Sequence, residues 1–292
     1  LAGTAQGSML VYNWAAANPE KAGCIYMEFP WLQVDPALAA DDAARELMAA
    51  ALSANGSEGK PITLVAQADA VGKATVPVMH IYGEKKPGTV PDKSVEQFYA
   101  AYRLAGKGDF QSITRPSSSD DDKVDLTIAP LIFILKHTEQ LTGAPMDTPI
   151  AGMEQWKVAD FSGRANVFVL DDVLVIEEGN EMTGVVCAEE PILMNYEIML
   201  DAMRLAGGDF FCGLTAPYED TNFSLVVGGW GGTCVGISSL DWLDAYHNET
   251  AVFRSFESHR WYRIRLRVTP GNIKAWIDGK ETVNVDVDKR EV

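Results

Sequence analysis

The sequence predicts a two-domain protein, α/β in its first half and all-β in its second, and three observations carry that expectation. Its 292 residues are about two domains long at the usual ~100 to 200 residues per domain. Up to Leu141, short apolar runs alternate with longer segments of helical period, the pattern of strand and crossover-helix units. Beyond the interruption from Gly143 to Pro149, with Pro145 between, short segments of period-two alternation follow one another, separated by Gly, Asp and Asn turns. The expected organisation is an α/β domain over 1–141, a linker over 142–151 and a β-sandwich over 152–292.

Composition narrows the function classes. A hydrophobic content of 47% with 22% charged residues belongs to packed protein rather than to a disordered chain. With 24 basic against 41 acidic residues, a net charge of −17 repels phosphate backbones and anionic headgroups, so nucleic acid and membrane surfaces are not expected partners. Apolar stretches such as Leu131 to Leu135 fall far short of the ~18 residues of a bilayer span, so no membrane span is expected. The four cysteines, Cys24, Cys187, Cys212 and Cys234, show no C-x-x-C or His-flanked spacing, and they read as buried, unbridged thiols. Cys212 and Cys234 flank a strand, which sets them two strand spacings apart, roughly 9 to 10 Å and beyond disulfide reach.

In the first half, Gly23 to Met27, Val76 to Tyr82 and Phe110 to Thr114 read as strands, so about three parallel strands with one open edge are expected. After Pro91, Val95, Phe98, Tyr99 and Tyr102 follow i, i+3, i+4, i+7, with Asp92 placed as an N-cap and Gly106 as a stop. Ala37 to Ala54 is Ala-rich and helical, broken by Asn55-Gly56-Ser57. The opening Gly3-Thr4-Ala5-Gln6-Gly7, then a helix ending at Asn18-Pro19, has the layout of a nucleophile elbow, whose glycines permit a strained strand-to-helix turn. With Val76 to Gly83 as a late strand and Phe98-Tyr99 in the next helix, residues 1 to 140 resemble the C-terminal half of an α/β-hydrolase domain.

That resemblance implies a catalytic triad, and each of its positions holds the wrong residue. The elbow's central residue is Ala5, the acid position falls on Lys86 within Glu84-Lys85-Lys86-Pro87, and the loop after Thr114, Arg115 to Asp120, has no histidine. Alanine has no lone pair for acyl attack, lysine cannot orient an imidazole, and without histidine there is no general base. A displaced nucleophile, Ser8 with Glu84 as acid, is the alternative that retains esterase chemistry. The family also has strands before the elbow, so an N-terminally shortened domain is expected.

The second half has candidate strands at 166–170, 173–177, 196–205, 209–215, 222–227, 234–238, 261–269 and 272–277. In the strand from Trp261, Tyr262, Ile264, Leu266 and Val268 alternate with Arg263, Arg265 and Arg267, so one face is core and the other a row of guanidinium groups. Glu197 and Asp201 share a face of their own strand. Two readings stay open for this face: a solvated cross-strand charge ladder, or a polar surface on which Glu197, Arg263, Arg265 and the flat Trp276 contact a hydroxylated ligand. The loop from Trp230 to Glu249 is the other candidate, because glycines flank Trp230 and long loops at sandwich ends are frequent binding sites. It gathers Trp230 and Trp242 as stacking residues with Asp241, Asp244, His247 and Glu249 as candidate catalytic groups; the same tryptophans could plug the open end of the sandwich. Its carboxylates could hold calcium, but no EF-hand spacing is present, and neither metal nor cofactor is expected.

The runs Asn195 to Ile198, Gly208 to Leu214, Gly228-Gly229-Trp230-Gly231-Gly232, Trp261 to Val268 and Ala275 to Gly279 resemble the concanavalin-like jelly roll of the 3-keto-disaccharide hydrolase family over residues 152 to 292. The last strands of that fold, expected after Val287-Asp288, are missing. The resemblance implies a secreted or periplasmic bacterial protein with a carbohydrate ligand, a glycoside or 3-keto-glycoside that the β domain either binds only or binds and cleaves. A noncatalytic cell-surface interaction protein is the reading from a different class. With Ala5, Lys86 and a His-less loop in the triad positions, p-nitrophenyl ester hydrolysis is expected to stay at the level of a denatured control; turnover that disappears on Ser8→Ala contradicts the degenerate elbow.

Overall fold

The computed structural model describes residues 1–4, 7–30, 32–34, 42, 46, 49–50, 53, 62–83, 93–115, 121–141 and 143–292. Ala5, Glu84, Lys86, Asp92, the loop 116–120 and most of the Ala-rich stretch 37–54 lie outside them. The chain divides into two compact units, Leu1–Ser117 with Leu126–Leu141, and Ser118–Asp125 with Thr142–Val292.

In the first unit, β1 (Ala2–Thr4), β2 (Ile25–Glu28), a two-residue pair β3 (Gln33–Val34) and β4 (Ile62–Thr63), β5 (Val78–Tyr82) and β6 (Phe110–Thr114) alternate with helices. These are α1 (Ser8–Ala17), α2 (Val65–Lys73), α3 (Lys93–Ala105) and α4 (Ile128–His137). The main sheet has the order β1-β2-β5-β6 and every pair in it is parallel. It has four strands, one more than the sequence indicated, because Ala2–Thr4 is too short for alternation to be visible yet pairs with Tyr26, Met27 and Glu28.

Both sheet faces are covered, which is why β5 reads as nearly unbroken buried residues. Met9, Tyr12 and Ala15 of α1, Ala68 and Val71 of α2, and Phe98 and Tyr102 of α3 share a buried cluster with Ile25, Met27 and Val78. On the opposite face Phe133 of α4 meets Cys24, Met79, Ile81 and Ile113. Ser8 is fully buried in the first turn of α1. No described helix is long and apolar enough to cross a membrane.

In the second unit, β7 (Pro149–Ile150), β8 (Met153–Val158) and β11 (Val185–Cys187) form a small antiparallel sheet in the order β11-β8-β7, while β9 (Val167–Leu170) and β10 (Val173–Ile176) form a hairpin. Two four-stranded antiparallel sheets follow. One joins β12 (Tyr196–Met203), β17 (Trp261–Thr269), β18 (Asn272–Ile277) and β19 (Lys280–Asp286); the other joins β13 (Cys212–Tyr218), β14 (Thr221–Gly228), β15 (Cys234–Ser238) and β16 (Val252–Phe253). Their inward residues share one cluster: Phe223, Leu225, Val227, Val235 and Ile237 from one sheet, and Tyr262, Ile264, Leu266, Val268, Ile273 and Ile277 from the other. The stretch 209–215, read as a strand, starts its ladder only at Cys212, which pairs with Val227 near the end of β14. Cys212 and Cys234 sit on β13 and β15 with β14 between them, and all four cysteines are free thiols; Cys24 and Cys234 are buried as expected, whereas Cys212 is half-buried and Cys187, at the end of β11, is exposed.

His80 sits on the β5 face beneath α1 and α3, fully buried, with Tyr12 hydrogen-bonded to Nε2 and the Tyr82 hydroxyl 2.7 Å from Nδ1. Burial pushes its pKa from 6.5 down to about 3. Between those pH values the unfolded chain binds a proton that the folded chain refuses. Stability is therefore full above the unfolded value and falls as pH drops toward the folded one, at up to ~1.4 kcal/mol per pH unit. Urea unfolding from pH 7 to 4 is expected to show this slope and a His80→Gln variant to lose about one proton's worth of it. Identical slopes contradict the assignment.

Candidate functional site

The Gly-rich turn between β14 and β15 determines how Trp230 is displayed. Gly228, Gly231 and Gly232 have φ of 78°, 82° and 93°, and a Cβ on Gly232 would lie 2.7 Å from the Gly208 carbonyl oxygen. Trp230 itself has φ of 48°, a left-handed conformation that costs roughly 1–2 kcal/mol for a residue with a Cβ. Such strain persists where the surroundings impose it and concentrates at functional sites. The indole is 42% exposed and does not plug the core. Trp242 is 88% exposed and makes no ring contact among the described residues.

Trp230 has aromatic neighbours that sequence reading did not single out. The Tyr246 ring lies 6.0 Å from it, centroid to centroid, at 34°. Tyr246 in turn meets Phe253 of β16 at 5.4 Å and His247 at 5.1 Å. Tyr246 and Phe253 are 45% and 57% exposed, so the group forms a solvent-facing aromatic surface rather than a core. Tyr246 stands beside His247 in the loop, a proximity visible in the sequence; Phe253 reaches the site only through the pairing of β16 with β15.

The loop's four acid–base candidates separate into two pairs. His247 Nδ1 lies 2.8 and 2.9 Å from the two carboxylate oxygens of Asp244, which also accepts the backbone N–H groups of Tyr246 and His247. The His247 hydrogen bond holds the Asp244 carboxyl below its usual range. Among the described residues no hydrogen bond reaches His247 Nε2, so the dyad presents one free imidazole nitrogen next to the Tyr246 ring. Asp241 and Glu249 go elsewhere: Arg290 donates from Nε to Asp241 at 2.8 Å and from Nη1 to Glu249. The Glu291 N–H adds a bond to Asp241 at 3.0 Å. Both carboxyls are held low by Arg290, and they form a charge-compensated anchor for the loop. No group of three or more metal-ligating side chains occurs among the described residues.

On the sheet face, Arg263 donates two hydrogen bonds to Asp201, at 2.9 and 2.7 Å, and Arg265 donates to Glu197 at 2.6 Å. The partnerships hold Asp201 and Glu197 below their usual pKa range. Trp276 has two guanidinium groups near its ring, Arg265 4.6 Å and Arg267 5.2 Å from the ring centre. Glu197, Arg265 and Trp276 are thus already engaged with one another in a cross-strand ladder.

Arg290 was not legible as a loop residue, since it lies 49 positions from Asp241 and 41 from Glu249 with no periodic signal. An Arg290→Met variant is expected to raise the titration midpoints of both carboxyls, read by carbon-detected NMR; midpoints equal to the parent's contradict the anchor. Neither a scan against protein-family models nor a search of curated proteins finds a match for this chain.

Proposed function

We propose that the second unit is a carbohydrate-recognition domain and that its loop surface of Trp230, Tyr246 and Phe253 binds a glycoside. In this reading the two four-stranded sheets form a concanavalin-like jelly roll, and the first unit is a catalytically degenerate α/β-hydrolase-like domain. The whole is a secreted bacterial carbohydrate-active protein. The observation that carries the proposal is the exposed aromatic group itself. Sugar rings offer flat C–H faces that stack on aromatic rings and hydroxyls that need both donors and acceptors, and here Asp244 and His247 supply polar groups at the edge of the aromatics. The finer reading assigns a 3-keto-glycoside. Cleavage of such a substrate needs a base beside the keto-bearing ring, and His247, oriented through Nδ1 by Asp244, supports that role through its open Nε2.

Titration calorimetry with cellohexaose, laminarihexaose, maltohexaose and xylohexaose tests the binding claim. At least one should bind, and Trp230→Ala with Phe253→Ala should weaken it by tenfold or more, ~1.4 kcal/mol, with the thermal midpoint within a few degrees of the parent. Unchanged affinity, or no binding by any of the four, contradicts the proposal. Turnover of a 3-keto-glycoside that survives His247→Ala removes the histidine from the chemistry while leaving the binding surface standing.

A further inference from the structure

A cleft of about 570 Å³ opens in the second unit where β12 ends, β17 begins and β18 turns into β19. Its volume lies within the ~300–1,000 Å³ of small-ligand sites. The turn is Asp278-Gly279, with φ of 53° and 77°, the two-residue form that matches strand twist. Asp278 is fastened from three sides, by Lys123 Nζ at 2.9 Å, Arg260 Nη1 at 2.9 Å and the Arg263 backbone N–H at 3.1 Å. Burial pushes its carboxyl up, and those bonds outweigh burial and leave it below its usual range. The 118–125 segment contributes Asp122, which is exposed, and Lys123; Arg263 and Asp201 form a bidentate pair on the sheet side; and the Trp261 indole lines the cleft with its N–H donated to Asp125 at 3.2 Å.

The charges determine the ligand class. Arg263 is paired with Asp201 and both Lys123 and Arg260 serve Asp278; counted with the exposed Asp122, these six side chains carry three charges of each sign, so neither an anion nor a cation finds a net excess of opposite charge. What the cleft does offer is a dense alternation of fixed donors and acceptors beside an immobilised indole. Hydroxyl groups, each both donor and acceptor, use such an edge without disturbing the ion pairs, and a ring with a C–H face uses the indole. We propose that this cleft binds a neutral saccharide ring, with its hydroxyls at the Asp201–Arg263 pair and Lys123 and its flat face on Trp261. The site is separate from the loop surface of Trp230 and stands without it.

Hydroxyl-radical footprinting of the full chain reads the two sites independently, because Arg254 and Arg260 place Trp230 and Trp261 on different tryptic peptides. The probes are cellohexaose, laminarihexaose, maltohexaose and xylohexaose, with hexagalacturonate and a glucosamine hexamer as charged controls. Oxidation of Trp261 should fall at least twofold with one of the neutral sugars. The protection should disappear in Asp201→Ala/Arg263→Ala, and in Lys123→Ala should the double variant fail to fold. No protection of Trp261 by any neutral sugar, protection by the charged oligomers alone, or protection that persists in the folded variants overturns the proposal. Protection of Trp261 without Trp230 upholds this cleft while removing the loop reading.

Discussion

Apolar side chains from two four-stranded antiparallel sheets meet in a single buried cluster, and that shared layer constrains the rest of the second unit. Fully burying a Val, Leu or Ile side chain is worth about 1.5–3 kcal/mol, whereas an exposed ion pair is worth about 0–1. Tyr262, Ile264, Leu266 and Val268 therefore decide which way β17 faces, and the arginines between them take the side that remains. A one-residue slip would turn the whole apolar set outward, so the register is strongly specified. Once it is set, Asp201 must lie opposite Arg263 and Glu197 opposite Arg267, within diagonal reach of Arg265. The charge ladder is a consequence of the core rather than its cause.

The same layer determines where exposed side chains in strained backbone conformations stand. With the strands committed to the core, the residues free to adopt unusual backbone conformations are those between them. Trp230, Ser239, Asp241 and Trp242 all have positive φ, between 48° and 68°. Two anchors hold this region: the Gly-rich turn, packed against Gly208, and Arg290, which ties two loop carboxylates to the last residues of the chain. A rigid frame with a strained, fastened rim keeps exposed aromatic rings in fixed relation, which lowers the entropy cost of binding a flexible ligand.

Legibility in the sequence followed the length and regularity of each element. The strands Cys234–Ser238, Trp261–Thr269 and Asn272–Ile277 were readable to the residue, since alternation is long or closed by turns such as Pro270-Gly271. Met153–Val158 and Val185–Cys187 were not, because their exposed and half-buried residues do not alternate cleanly. Lys280–Asp286 carries its inward valines at 283 and 285 behind a charged, exposed start, which masks the period. Site residues divided the same way. Trp230 and the His247–Asp244 pair are local in sequence and could be named, whereas Phe253, Arg290 and Lys123 enter their sites through long-range pairing that one sequence does not encode locally.

The central claim is that exposed aromatic side chains at the loop end of the second unit receive a sugar. Indole N–H resonances of the seven tryptophans, followed by proton–nitrogen correlation NMR during titration of the full chain with a neutral hexasaccharide, test it most directly. The account predicts a saturable shift of the Trp230 resonance while that of Trp156, on β8, stays in place. A titration that leaves Trp230 unmoved, or moves every tryptophan alike, would contradict it.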